Sequence, residues 1–145
     1  MILETSQLSD YVGQVAMVDG SFDPIHDGHI AYFQRAAEFG IPVLCNVASD
    51  SWTVTKHQVL LSQMQRGVVL DAIRFISFVH LSSTSTLEVL KILKPRLYIK
   101  GNDWIARGGV PKEEQDACNS LNIEVKYLDT VLNSSTQLLA NWSTQ

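Results

Sequence analysis

Residues 20–29 read Gly-Ser-Phe-Asp-Pro-Ile-His-Asp-Gly-His. His26 and His29 stand three apart, a spacing that lets two imidazoles share one side of a first helical turn. A helix N-terminus carries free N–H groups and the positive end of the dipole, so it attracts anions. Two imidazoles added there make a phosphate clamp. Gly20 and Ser21 are small and let a ligand approach the backbone, and Gly28 does the same between the histidines. Two plainer readings stay open at this point: a pair of surface histidines, or a metal pair completed by Asp23 or Asp27.

The elements that would position this run alternate along the chain. Gln14–Asp19 reads as a buried strand, and Gly28–Phe39 as a helix with Ile30, Phe33 and Ala37 along one face, stopped by Gly40 and Pro42. Further apolar strands are expected at Val43–Ala48, Ile76–His80, Leu97–Ile99 and Ile123–Leu128. Helices are expected at Ser62–Arg74, Ser85–Leu93, Lys112–Leu121 and Ser135–Trp142. Ser62 with Gln65, and Ser85 with Glu88, have the spacing of capping boxes. Alternation of strand and helix with near-continuous apolar strands predicts an α/β fold: a Rossmann-like, doubly wound parallel sheet of about five strands with helices on both faces. Such sheets bind ligands outside the carboxyl ends of their strands. The loops after Asp19, Ala48, Ile99 and Leu128 are therefore where chemistry belongs, with residues 49–61 and 101–111 as the longest irregular stretches.

Composition narrows the function classes. The 145 residues fit one domain, and 46% hydrophobic content is enough for a packed core. The net charge of −4 and the lack of a basic cluster argue against nucleic acid. No apolar run approaches the roughly 20 residues of a membrane span, and the first residues lack the pattern of a signal peptide. Cys45 and Cys118 cannot build a disulfide framework, so a reduced cytoplasmic setting and buried, apolar cysteines are expected.

The run Gly20–His29 resembles the Gly-x-Phe-Asp-x-x-His-x-Gly-His signature of the cytidylyltransferase-like nucleotidyltransferases. The resemblance extends from about Val18 to about Trp142. It is nearest to the adenylyltransferase domain of bifunctional heptose-phosphate kinase/adenylyltransferases, then to glycerol-3-phosphate cytidylyltransferases. It implies a Rossmann-like fold and the joining of a nucleoside triphosphate to a phosphorylated small molecule, with release of pyrophosphate. It implies that His26 and His29 hold the triphosphate, beside Gly20, Ser21 and Phe22, with Asp23 on the substrate side. Ser49-Asp50 matches a similar pair in these enzymes, and Lys56 matches a lysine that contacts phosphates. The heptose enzymes continue from that lysine as Lys-Gly-x-x-Arg-Pro, whereas this chain reads Lys-His-Gln-Val-Leu-Leu-Ser, so the loop geometry departs here. Arg66 matches a helix arginine that either reaches the acceptor phosphate or pairs on the surface.

In Lys94–Trp104 the resemblance puts Lys100, Gly101 and Asp103 near base and ribose, with Trp104 on the nucleotide or in the core. Ser134, Ser135 and Thr136 match a Ser-Thr-Thr stretch and offer a second helix start, suited to the β- and γ-phosphates. The expected catalytic set is His26, His29 and Lys56. Mg²⁺ is expected to arrive mainly on the triphosphate, with few protein ligands. ATP is favoured over CTP, because the stretch before Ser134 lacks the arginine of the cytidylyl enzymes and because Lys100-Gly101 follows the adenylyl pattern. Trp104 follows the cytidylyl one. The expected partners are a nucleoside triphosphate and a sugar- or polyol-phosphate, with a homodimer common among the resembling enzymes. A CTP-dependent cytidylyltransferase of the glycerol-phosphate type is one alternative, and a nucleotide-binding module without turnover, or one domain of a longer enzyme, is the other.

Overall fold

The computed structural model describes residues 1–129 and 135–143. Six strands form one parallel sheet: β1 Ile2–Leu3, β2 Ala16–Gly20, β3 Val43–Val47, β4 Phe78–Leu81, β5 Leu97–Gly101 and β6 Glu124–Leu128, in the order β1-β4-β3-β2-β5-β6. The helices are α1 Asp27–Ala37, α2 Asp50–Thr53, α3 Gln63–Asp71, α4 Thr86–Leu93, α5 Asp103–Ala106, α6 Lys112–Ser120 and α7 Ser135–Ser143, with a 3₁₀ helix at Thr5–Tyr11. The sheet therefore has one strand more than the sequence suggests. β1 is two residues long, too short for periodicity to reveal, and is held by register with Val79 and His80.

Side-chain alternation explains the unbroken apolar strands. Ala16 and Val18 of β2, with Val43, Cys45 and Val47 of β3, pack against Phe33, Ala36 and Leu70 on the α1 and α3 face. Met17, Leu44 and Tyr98 turn to the other face, against Leu8, Val89, Leu90 and Cys118. Both cysteines are free and buried, as expected. Fully burying one such Leu is worth about 1.5–3 kcal/mol, so each face is a core in its own right.

Local chemistry sets the helix ends. Ser62 and Gln65 form the expected reciprocal box at α3. Ser85 caps α4 by accepting from the Glu88 amide at 3.3 Å, and Lys94 ends that helix in the left-handed region (φ 45°). The chain leaves β2 toward β3 on one side and reaches β5 on the other, so the switch point lies between β2 and β5. Their register runs Ala16↔Leu97 and Met17↔Tyr98. Beyond it lie Asp19–Gly20 and Lys100–Gly101, the crevice where an open α/β sheet takes its ligand.

Candidate active site

α1 begins on a capping box made of two histidines. His26 is its N-cap, and its Nδ1 accepts from the Gly28 amide at 3.0 Å. The Nδ1 of His29 accepts in turn from the His26 amide at 3.3 Å. The rings stack with centroids 3.8 Å apart. With both Nδ1 atoms accepting, each neutral ring carries its proton on Nε2. Burial lowers the pKa of His26, with Asp27 opposing, and takes His29 down to about 3, helped by the neighbouring His26. The free site thus presents two neutral N–H donors, and an arriving anion raises both pKa values. His26 Nε2 is buried without a hydrogen-bond partner among the described residues. An unpaired buried donor costs about 1–3 kcal/mol, a cost that an anion at the helix start would remove.

Phe22 turns its side chain into the core. It is 5% exposed, has φ 54°, and sets its ring edge-on to His29 at 5.1 Å and to Phe33 at 5.2 Å. The expectation that it touches the nucleotide is corrected to a support for His29. It also explains Gly20, where a Cβ would stand 3.1 Å from the Phe22 ring.

Asp23 and Arg66 depart from expectation for the same reason: both are spent inside the protein. Asp23 is fully buried, and its carboxylate accepts from the Leu60 amide at 2.8 Å and the Leu61 amide at 3.1 Å. It clasps the loop before α3 and is closed both to substrate and to the metal pair considered above. Among the described residues no three His, Cys, Asp or Glu side chains converge as a metal site. Arg66 is 1% exposed and so is not a surface ion pair. It donates to the carbonyls of Leu61 (3.1 Å), Ser21 (2.7 Å) and Ala48 (3.0 Å) and to the Asp50 carboxylate (2.6 Å). This guanidinium ties together the loops after β2 and β3, and it engages the Asp50 side chain expected to meet substrate. Ser21 is held as well, its hydroxyl accepting from Thr53 at 2.9 Å.

On the α4 and α6 face, the crevice opens into a cavity of about 400 Å³. Lys100 donates to Asp19 at 2.6 Å, and Thr86 donates to the other Asp19 oxygen at 2.9 Å. The Tyr98 hydroxyl donates to Glu114 at 2.8 Å, and burial pushes the Glu114 carboxyl pKa up. The Lys100 ammonium also lies 4.4 Å from the Trp104 ring centroid. Trp104 is half-buried at the cavity wall, so it is neither a core residue nor a free surface one. Lys56 reaches the same cavity beside Trp52, its ammonium 5.2 Å from that ring. Gly101 is buried at the end of β5. Asp103 opens α5 and pairs with Arg107 at 3.5 Å.

Of the expected second helix start, Ser134 lies outside the described residues, and Ser135 and Thr136 are described only as the first turn of α7. Sequence reasoning passed over Asp19, Asn46, Thr86, Tyr98 and Glu114, and left His80 without a role. It also omitted the loop after β4, whose residues Ser82, Thr84 and Ser85 line the cavity. A signal was present: Asp19 is a carboxylate at the end of an otherwise apolar strand.

Comparison with known proteins shows the family and the fold. The chain is 32% identical over 105 residues to the bifunctional protein HldE of Trichlorobacter lovleyi, covering 69% of this chain and 21% of that protein. It is 30% identical over 131 residues to HldE of Campylobacter fetus, covering 88% of this chain and 27% of that one. The chain thus spans about a fifth to a quarter of the length of these curated relatives. Among solved structures, the lipopolysaccharide core biosynthesis protein of Thermoplasma volcanium shares the fold, with a TM-score of 0.66 at 19% identity over 80% of this chain and 96% of that one. Residues 17–138 match the family model described as cytidylyltransferase-like, and the chain belongs to that family.

Proposed function

We propose that the chain is a nucleotidyltransferase that moves a nucleoside monophosphate from a nucleoside triphosphate, ATP in preference to CTP, onto a sugar- or polyol-phosphate and releases pyrophosphate. The observation that carries this reading is the histidine capping box, which aims two Nε2–H donors from one helix start and leaves that of His26 buried without a partner. Family membership and the HldE relatives support the reaction class.

An acceptor phosphate is already an anion near neutral pH, so attack on the α-phosphorus needs no general base. Catalysis is then positioning and charge stabilisation. His26 and His29 donate to the phosphate oxygens as charge builds on them. Lys56 adds a mobile cation from the cavity rim, and the start of α7 is assigned to the leaving pyrophosphate. Asp23, Phe22 and Arg66 touch no reacting atom in this scheme; they hold the loops and ring that do. Mg²⁺ carried on the triphosphate would supply further neutralisation.

One feature favours a second reading, nucleotide binding without turnover: the loop after Lys56, Lys-His-Gln-Val-Leu-Leu-Ser, departs from the heptose-enzyme pattern. Pyrophosphate release with Mg²⁺, across a panel of triphosphates and of sugar and polyol phosphates, separates the two. Release with ATP and at least one acceptor is expected; binding without release on every pair establishes the module. Tighter binding of CTP than of ATP by about tenfold, or about 1.4 kcal/mol, reverses the base preference.

A further inference from the structure

The floor of the cavity is a polar row laid across four neighbouring strands. Asp19 of β2 is in register with Asn46 of β3, and Asn46 with His80 of β4. Lys100 of β5 closes the row on the other side through Asp19. Two residues earlier, Met17, Leu44 and Tyr98 occupy the same face as core, so the row stands where apolar side chains would be expected to continue. Asn46 is 3% exposed, His80 1% and Lys100 6%. Polar groups this deep are costly unless they are partnered or used.

The partners are distributed unevenly. The Asn46 side-chain oxygen can only accept, so His80 Nδ1, 2.8 Å away, carries the proton. His80 Nε2 then accepts from the Thr5 hydroxyl at 2.9 Å. Burial lowers the His80 pKa and keeps the ring in this neutral form. Of the two outer members, His80 is spent inward, whereas Lys100 lines the cavity with its ammonium bonded to Asp19. The two inner ones are not exhausted: the Asn46 amide nitrogen keeps its N–H donors, and Asp19 keeps acceptor capacity beyond Lys100 and Thr86. Both line the cavity.

A donor beside an acceptor at strand spacing suits two adjacent hydroxyls, each of which both donates and accepts. The polar wall of Ser82, Thr84, Ser85 and Thr86 suits the same kind of ligand, although the Ser82 and Thr86 protons are already donated to the Thr84 carbonyl and to Asp19. Lys100 is already paired with Asp19, whereas Lys56 is an exposed cation of the same cavity with no carboxylate partner among the described residues, so the phosphate end belongs with Lys56.

We propose that Asn46 and Asp19 determine acceptor specificity by reading adjacent hydroxyls of a polyhydroxylated phosphate ester, and that His80 is the positioning residue that fixes which way the Asn46 amide faces. This rests on the proposed nucleotidyl transfer and names the part of the acceptor that the cavity holds.

The test is titration of the protein with glycerol 3-phosphate, ribose 5-phosphate, ribitol 5-phosphate and mannose 1-phosphate, with Mg²⁺ and a non-hydrolysable ATP analogue present. At least one binds the wild type, and Asn46→Leu weakens it by about tenfold or more, the scale of an unsatisfied hydrogen-bonding site. Affinity for the ATP analogue stays within about twofold. His80→Leu behaves like Asn46→Leu. His80→Asn, whose amide nitrogen replaces ring Nδ1, keeps acceptor affinity within about threefold, which a merely structural role for His80 would not produce. The proposal is overturned if no phosphate ester binds, if Asn46→Leu leaves acceptor affinity unchanged, or if nucleotide affinity falls in parallel. A bound acceptor with this variant pattern but no pyrophosphate released leaves the specificity assignment standing and removes the activity.

Discussion

The histidine turn and the cavity floor are built in opposite ways. In the turn, His26, Gly28 and His29 hydrogen-bond to one another within one helical turn, so sequence spacing already contains the geometry. The floor brings together residues 19, 46, 80 and 100 from four strands, and only the parallel register makes them neighbours. The turn offers neutral donors at a helix start, suited to charge that develops on any phosphate. The floor offers a fixed donor and acceptor in a deep pocket, suited to telling one acceptor from another. On the proposed reading, the transfer chemistry sits in the local device and acceptor discrimination in the device that needs the whole sheet.

Arg66 ties together the loops that follow β2 and β3, and its removal should have the largest effect. Arg66→Ala leaves the Ser21, Ala48 and Leu61 carbonyls without their donor and should cost about 3 kcal/mol or more in urea unfolding. A loss under about 0.5 kcal/mol, within the range of an ordinary surface substitution, would mean the loops stand without this tie.

His29 separates chemistry from architecture within the turn. His29→Asn keeps a side-chain acceptor near Nδ1 for the His26 amide and removes Nε2. Turnover should fall by roughly 10²-fold or more, the scale of one oriented transition-state donor, with little change in stability. His29→Ala should lose the same rate and also part of the cap, about 1 kcal/mol. Unchanged turnover in both would remove the histidine assignment.

Acid should find the same residue. The native His29 pKa is about 3, against 6.5 for the free side chain. Between these values the unfolded chain binds a proton that the native one does not, so stability falls as pH drops from about 6.5 toward 3. The slope of unfolding free energy against pH should flatten in His29→Asn. A matching slope in both proteins would place the acid sensitivity elsewhere.

The smallest effect belongs to the floor's border. Ser85→Ala removes the α4 cap and loosens Thr86 on Asp19, and should cost about 1 kcal/mol in thermal unfolding.

The legible parts of the molecule were those with short-range causes. The parallel fold followed from apolar strands alternating with helices, and the Ser62–Gln65 box and the His26–His29 turn followed from spacing of three. Arg66 was visible as a functional-looking cation, but burial by three loops is a tertiary fact that helix position does not encode. Asp23 was hidden in the same way, since its amide partners lie 37 and 38 residues away. Asn46 and His80 were illegible because each gains meaning only from a strand neighbour 34 residues away.

The central claim is transfer of the α-phosphorus onto an acceptor phosphate. It is tested most directly with ATP labelled at the α-phosphate in one reaction and at the γ-phosphate in another, with Mg²⁺ and the acceptor panel. The α-label should appear in a nucleotidyl–acceptor product, with the γ-label released as pyrophosphate in equal amount. An α-label that stays on the nucleotide, or a γ-label that leaves as orthophosphate or moves to the acceptor, would contradict the account.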